Sequence, residues 1–588
     1  MTANITTLAV KPGIQRDGTQ LNAPCYVDGQ WVRFQNGLPR KIGGYRGIFL
    51  NASGISRGMT MTSTNGINYV ISGYNAGLQQ WSTDNDDGVG FGPTPYTLTS
   101  FTSSANNLWQ FDIGYDSTGN ANNKLIAHPG QNLSAIDSTT NTRPLYGDFP
   151  GTTLAPVGVF TASGTTTSGL TTVTFATTIA AIGAGVSVTG TGIPANTTVV
   201  SSTIVGSVFT ATLSAAATAS GTVTLTFDNN ISVSGGVVML HPYLFVYGNN
   251  GLIQNCSAGD FNNWTSQDSN ANNVSTGKIV KGLPVRGGTT SPSGLFWALD
   301  SVIRVTYSPA TVNGVNIYWR YDLLTSQTSI MSSQSVIEYD GIFYWAGVDR
   351  FLMYNGVVQE IQNNQNQNFF FDNLNYAQRQ KVWVTKVPRW GEIWWFYPHG
   401  DATECNNAVI YNVRDKTWYD AGFAPGSDRS AGTFSEVFRK PIWAENVVNT
   451  AGTYTLWQHE NGSNRIFTNN VDAIQSSIET NVLANITGGP GTQQVQGPNK
   501  WVRLERIEPD FVQYGTMTVV VTGKGYADDT DQPSDPYSFE PTTLKIDMRE
   551  QRREMRLRFE SNTINGDYYM GRVLMSMDMG DERGTGNP

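Results

Sequence analysis

Short runs of alternating apolar and polar residues, cut by Gly, Asn and Asp, recur along most of this chain. The tightest instance is YDGIFYWAGVDRFLMYNGVVQEI, residues 339–361. Its alternation predicts three strands, at 342–346, 351–354 and 357–361. Residues 347–350 reverse the chain once and Asn355-Gly356 a second time, a dipeptide suited to the two φ > 0 positions of a type I′ hairpin. Looser copies lie at 68–82, 243–257 and 455–467, each an aromatic strand, a Gly/Asn turn and a second strand. A meander repeated in this way predicts the blades of a β-propeller.

The pattern changes twice. Residues 149–227 hold no Asp, Glu, Lys, Arg, Trp or Tyr, and alternate Thr, Ser, Val and Ala between Gly/Pro turns about every ten residues. That is the pattern of a small β-sandwich set into another domain. VTGTGIPANTTV and TLSAAATASGTVTLTF resemble the immunoglobulin-like modules inserted into phage virion proteins, which implies decoration, weak adhesion or a spacer. After Ala473 the strands WVRLERIEPDF, GTMTVVVTGKGY, EMRLRFESN and YYMGRVLMSMDM alternate without the aromatic-turn unit and predict a C-terminal sandwich. The expected division is an N-terminal arm (1–28), a propeller (29–148 and 231–472), an inserted sandwich (149–230) and a platform (473–588). One helical turn is expected, in FDNLNYAQRQKVW, capped by Asp372 or Asn373 ahead of Tyr376, Ala377 and Lys381. The polar tail DERGTGNP is expected to be loose.

Composition supports an all-β chain. Among 588 residues there are 62 Gly, 26 Phe, 25 Tyr and 15 Trp, with only 14% charged, so long surface helices are disfavoured. No apolar run reaches the roughly 18–20 residues that cross a bilayer, and MTANITTLAVKPG has no signal-peptide pattern, so a soluble protein made in a cytoplasm is expected. Cys25, Cys256 and Cys405 are too few and too scattered for a disulfide framework. The net charge of −9 argues against a tight grip on a phosphate backbone; it is compatible with a passage through which nucleic acid slides and equally with a plain, mildly acidic soluble surface.

Candidate chemistry is sparse. Gly54-Ile55-Ser56-Arg57-Gly58 matches a nucleophile elbow, but a strand (MTMTS) and not a helix follows it. None of His128, His241, His399 and His459 is tied to Ser56 by spacing. The acidic runs at 84–88 and 528–535 fail the EF-hand ligand pattern, and zinc and phosphate-loop spacings are missing. No catalytic, cofactor or metal residue is therefore assigned, and the chain is expected not to be an enzyme. A carboxylate pair from distant blades would suit a glycosidase, but no motif picks one out. The densest basic run, REQRREMRLRF (549–559), alternates apolar and basic residues like a strand. Arg549, Arg552, Arg553, Arg556 and Arg558 are its candidate contacts to DNA or a partner, against a plain exposed face partly neutralised by Glu550, Glu554 and Glu560. The Trp-rich segments read as blade packing before sugar platforms.

Three segments together resemble the tail nozzle family of short-tailed bacteriophages, which includes the packaged-DNA stabilisation and tail tubular B proteins. They are QWVRFQNGLPRKIGGYRGI (30–48) with GISRGM (54–59), residues 373–423 around GEIWWFYP and AVIYNV, and MRLRFESN with GDYYMGRVLMSMDMGDERG near the C-terminus. They cover about half the chain in the family's order. The resemblance implies a propeller on a sandwich platform and a homohexamer in the virion tail below the portal–adaptor protein. It further implies tail-fibre or tailspike neighbours, and double-stranded DNA passing through the lumen without sequence specificity. It brings no catalytic residues. The rival expectations are a receptor-binding or glycan-degrading propeller of a phage tail, and a non-viral adhesin or lectin.

Overall fold

A computed structural model describes residues 4–19, 23–83, 92–105, 107–116, 123–130, 139–205, 208–286, 292–483, 501–525 and 529–579. The acidic run at 84–88, Asp528 and the C-terminal tail lie outside them. The chain is almost entirely β, and its meanders form a seven-bladed propeller. Blade one is Met59–Thr64, Ile67–Tyr74, Gly77–Thr83 and Thr94–Pro95; blade two is Gln110–Tyr115, Asn123–His128, Leu145–Asp148 and Thr153–Pro156. Blade three is Gly236–Leu240, Tyr243–Tyr247, Leu252–Asn255 and Asn270–Asn273; blade four is Ile279–Pro284, Ser293–Ala298, Val302–Val312 and Val315–Thr325. Blade five is Val336–Tyr339, Ile342–Ala346, Phe351–Tyr354 and Val358–Glu360; blade six is Trp383–Val387, Glu392–Tyr397, Asn407–Asn412 and Thr417–Asp420. Blade seven takes Arg429–Ser435, Phe438–Glu445 and Tyr454–His459 from the end of the propeller and Tyr45–Ala52 from near the N-terminus. That borrowed strand closes the ring. Large aromatics fill the wedges between blades, as where Phe351 lies 4.7 Å from Trp418 and 5.0 Å from Trp395.

The strands expected within 339–361 form as blade five, but the second turn differs. Asn355 keeps a negative φ and Gly356 alone takes a positive one, +114°, so residues 355–357 make a three-residue connection. The type I′ signature, positive φ at both central residues, sits instead at Asp340-Gly341, ahead of the first of these strands, and also at Asn36-Gly37, Asn65-Gly66 and Asn313-Gly314. The unit expected at 455–467 is not a hairpin, because Tyr45–Ala52 lies between Tyr454–His459 and Asn464–Phe467 and pairs with both. The expected helical turn splits into a short helix, Gln367–Phe371, and a 3₁₀ segment, Tyr376–Lys381.

The inserted segment closes on itself. Its six strands, from Val159–Thr166 to Gly221–Asp228, pair in a ring, because the last strand bonds both the first and Ser187–Gly190. A closed barrel thus replaces the expected open sandwich, filled by Phe160, Phe175, Phe209 and Phe227. It interrupts the connection between blades two and three, and Asn229 N–H donates to Gly158 O (3.0 Å) across its neck.

The platform is built on Ile546–Ser561, whose first half pairs with Val502–Tyr514 and second half with Met517–Lys524 and Ser476–Glu479. Four N-terminal strands expected in the arm or propeller join it, Val32–Gln35 among them through its pairing with Leu38–Lys41. Asn4–Thr7 pairs with Asp567–Met579, Asp28–Gln30 with Ser476–Glu479, and Leu38–Lys41 joins through Arg40 opposite Tyr569. The boundary at residue 29 therefore falls inside the platform, since hydrophobic alternation does not say which sheet a strand will join.

Candidate functional site: the propeller–platform junction

The first fifty residues cross from platform to propeller and back, and where they cross the charges are buried. Strand Val32–Gln35 places Arg33 at 1% exposure between two carboxylates. Its guanidinium reaches Glu392 of blade six (2.9 Å) and Glu460 after blade seven (2.6 Å). Glu392 also accepts from Trp394 Nε1 (2.9 Å) and the Tyr419 hydroxyl (2.7 Å), and Glu460 from Trp390 Nε1 (2.8 Å). The Trp390 ring lies under Arg33 (4.7 Å), with Arg40 and Arg389 each 4.9 Å from its centre. Isolated buried charges cost several kcal/mol, and only dense pairing offsets that. Burial pushes the Glu392 carboxyl above its ordinary range despite Arg33; at Glu460 burial acts the same way, but Arg33 outweighs it and the carboxyl stays below.

A second ionic chain runs beside the first. Arg16 donates to both oxygens of Asp420 in blade six (2.9 and 3.0 Å) and to Asp28. Asp28 in turn meets Arg558 of the platform (3.0 Å). Burial disfavours the Asp28 carboxylate, but Arg16 and Arg558 hold it below the usual range. Between the two chains lies Trp31, fully buried at φ +54°, with Tyr45 at 5.9 Å and Trp394 at 6.0 Å. Gly426 is required there, because a Cβ would lie 2.1 Å from the Trp31 ring. Nearby, Arg429 donates from Nε to His459 Nε2 (3.0 Å), and burial and then Arg429 push His459 far below its ordinary pKa. Lys41 donates to Gly566 O (2.8 Å), and burial lowers its pKa to about 8.

The basic run is largely absorbed by this architecture. Arg556 is buried against Glu479 (3.2 Å) and Asp531 (2.6 Å), and Arg558 pairs with Asp28 and Glu560 (2.6 Å). Arg552 pairs with Glu550 (2.9 Å), Arg553 is half-buried, and Arg549 is exposed. The Arg556–Arg558 face is thus an internal ion-pair layer instead of an open basic face. Its main acids, Glu479, Asp28 and Asp531, are distant in sequence. Ser56 is a buried turn residue that accepts from the Ser72 hydroxyl (2.8 Å). Sequence reasoning missed Arg33 and Glu392 as partners; the available signal was a charge set among apolar neighbours in VRF and GEIWW.

Two openings lie outside the junction. On the propeller axis, Gln334 Nε2 donates to Arg57 O (2.8 Å) and Trp109 O (3.2 Å), leaving a cavity of about 160 Å³. Under the N-terminal segment a cleft of about 470 Å³ is floored by Tyr411 and Trp418 and walled by Gln15, Glu360, Gln362 and Asn364. Among the described residues no group of three or more His, Cys, Asp and Glu could hold a metal, and no helix is long and apolar enough to cross a membrane.

No family model matches the chain, and no curated protein matches it. Solved structures similar to it include the phage phi92 endosialidase, at 12% identity over 71% of this chain and 68% of that one (TM-score 0.25). BamB from Moraxella catarrhalis matches at 9% identity over 68% and 94% (TM-score 0.28). The exo-β-1,3-galactanase of Phanerochaete chrysosporium matches at 9% over 91% and 99% (TM-score 0.26). Glycosidases among these neighbours overturn the expectation that the chain is not an enzyme, and it is withdrawn. Likeness at this level assigns no reaction to the chain.

Proposed function

We propose that this propeller protein is a wall subunit of a short-tailed phage tail: a homohexameric nozzle that prolongs the DNA channel below the portal–adaptor protein. In that position it helps retain packaged DNA and conducts it at ejection, with tail fibres or tailspikes as neighbours. One observation carries the reading. The three segments that resemble the nozzle family, far apart in sequence, meet in one sealed core. Trp31, Val32 and Phe34 of the first pack with Trp394, Phe396 and Ile410 of the second and Met555, Leu557 and Tyr568 of the third. A tube wall under DNA pressure needs platform and propeller to move as one body, and buried ion pairs across the joint resist sliding. Gln334 closes the propeller's own axis, and about 160 Å³ admits no duplex whose major groove alone is about 12 Å wide. A conduit therefore runs between copies. Electron microscopy of purified protein or isolated tails is expected to show six-fold rings on the tail axis; trimers projecting from the side would overturn the proposal.

A second reading, a tail propeller that binds or degrades a host glycan, is favoured by the cleft over Tyr411 and Trp418. Its volume suits a small ligand, and Gln362, Asn364 and Glu360 supply hydrogen-bonding groups at its wall. Release of reducing ends from host polysaccharide, lost in Glu360→Gln, would establish this reading over the nozzle.

A further inference from the structure

The outer two strands of blade four, Val302–Val312 and Val315–Thr325, are eleven residues each, where the corresponding strands of blade five have four and three. Past Tyr307 and Trp319 they leave the body of the propeller, and every residue from 308 to 317 is exposed. At about 3.3 Å per residue the projection is roughly 17 Å long. Asn313-Gly314, both at positive φ, closes it as a tight hairpin.

The two faces of the projection differ. Trp319 packs into the blade three–four wedge, edge-on to Phe245 (4.8 Å) and Tyr243 (5.0 Å). Ile317 and Val315 follow it at a spacing of two, opposite Ala310 and Val312, so the face that seals the wedge continues outward with nothing over it. Val312 is 49%, Val315 64% and Ile317 40% exposed. On the other face Thr311 donates to Asn316 Oδ1 (2.8 Å). One polar face and one apolar face on an exposed hairpin is the pattern of an element that is covered in use.

We propose that this hairpin is an arm that clasps a second copy of the chain. The inference deepens the nozzle proposal and rests on its premise that copies assemble. Charge selects the occupant. Residues 308–317 carry no Lys or Arg for a phosphate backbone and no aromatic ring for a base or sugar. Each copy carries −9, so copies approach with least repulsion through surfaces that bear no charge. The apolar face also matches in kind the blade surfaces this chain already packs together. An arm that grips a surface other than itself makes a head-to-tail contact, and such contacts close into rings when the rotation allows.

The test uses the full chain and two double variants, Val315→Lys/Ile317→Lys on the apolar face and Thr311→Lys/Asn316→Lys on the polar face. Far-UV circular dichroism and tryptophan fluorescence check that each remains folded. Sedimentation velocity is expected to show assembly of the wild type and the polar-face variant, and a monomer for the apolar-face variant. A monomeric wild type, or an apolar-face variant that assembles as the wild type does, overturns the arm. Microscopy of the same samples separates the two proposals. Six-fold rings that persist in the apolar-face variant refute the arm and keep the nozzle, whereas arm-dependent assemblies of another symmetry keep the arm and refute the nozzle.

Discussion

Replacing Arg33 by Met should loosen the joint between propeller and platform, and only where the two carboxylates are ionised. Met keeps the length of the side chain but removes the shared cation, leaving Glu392 and Glu460 buried without it. Removing one partner of a buried pair costs about 3–5 kcal/mol, and loss of the contact with Trp390 adds about 0.5–1 kcal/mol. In native-state hydrogen exchange, amides of Val32–Lys41 and Glu392–Tyr397 should then exchange roughly three-hundred- to twenty-thousand-fold faster at neutral pH. The sign of the pH effect follows from the two carboxyls. Glu460, lowered in the fold, contributes stability that is present above its unfolded value of 4.5 and lost as pH falls through its folded value. Glu392, raised in the fold, acts oppositely: its ionised form costs stability as pH climbs from 4.5 through its folded value. Without Arg33 both carboxyls shift upward, so the variant's deficit should grow from pH 4.5 to neutrality and shrink in acid. Adding Glu392→Gln and Glu460→Gln should recover most of it at pH 7. A change under tenfold at neutral pH, or a deficit that does not vary with pH, would refute the assignment.

Burial lowers His128 to about 4 and, with Arg429, holds His459 far below its ordinary value, so both are neutral in the fold. Their contribution is full above pH 6.5 and falls below it, by about 2 kcal/mol each by pH 5; the gap in urea midpoint between wild type and His128→Asn should narrow over that range, and a constant gap would exclude a neutral His128. Excising the barrel and joining Gly158 to Asn229 should leave the propeller folded, since the two already meet at 3.0 Å and the bidentate Arg143–Asp228 pair, about 1 kcal/mol at its partly exposed site, is the main loss; a truncated chain without native near-UV circular dichroism would contradict this. Arg556→Met should destabilise the platform by about 3 kcal/mol while leaving DNA retention on a filter unchanged, because Glu479 and Asp531 already occupy that guanidinium; lost DNA binding with unchanged stability would restore the basic run as a contact face.

The sequence by itself determined the class of fold and its local grammar. Alternation at period two, aromatic strands and Asn-Gly turns are local properties, and they placed the blade-five strands at 342–346 and 351–354 as they stand. The charge-free stretch likewise marked the end of the inserted domain, Phe227 against a neck at Asn229, but its start at Phe149 took in the blade-two strand Thr153–Pro156 ahead of Gly158. Which strands share a sheet was decided only by tertiary structure. Tyr45–Ala52 closes blade seven, Leu38–Lys41 joins the platform, and the insert's last strand bonds on both edges to make a barrel. Each is a pairing over long sequence separation, set by which partner edge is left open, and no local periodicity encodes that. The same limit held for charge. The run at 549–558 read as a basic face because its acids come from positions 28, 479 and 531, and Arg33 looked like any strand residue until folding set it between Glu392 and Glu460. A side chain's desolvation and partners are properties of the packed joint, and only the packed joint shows them.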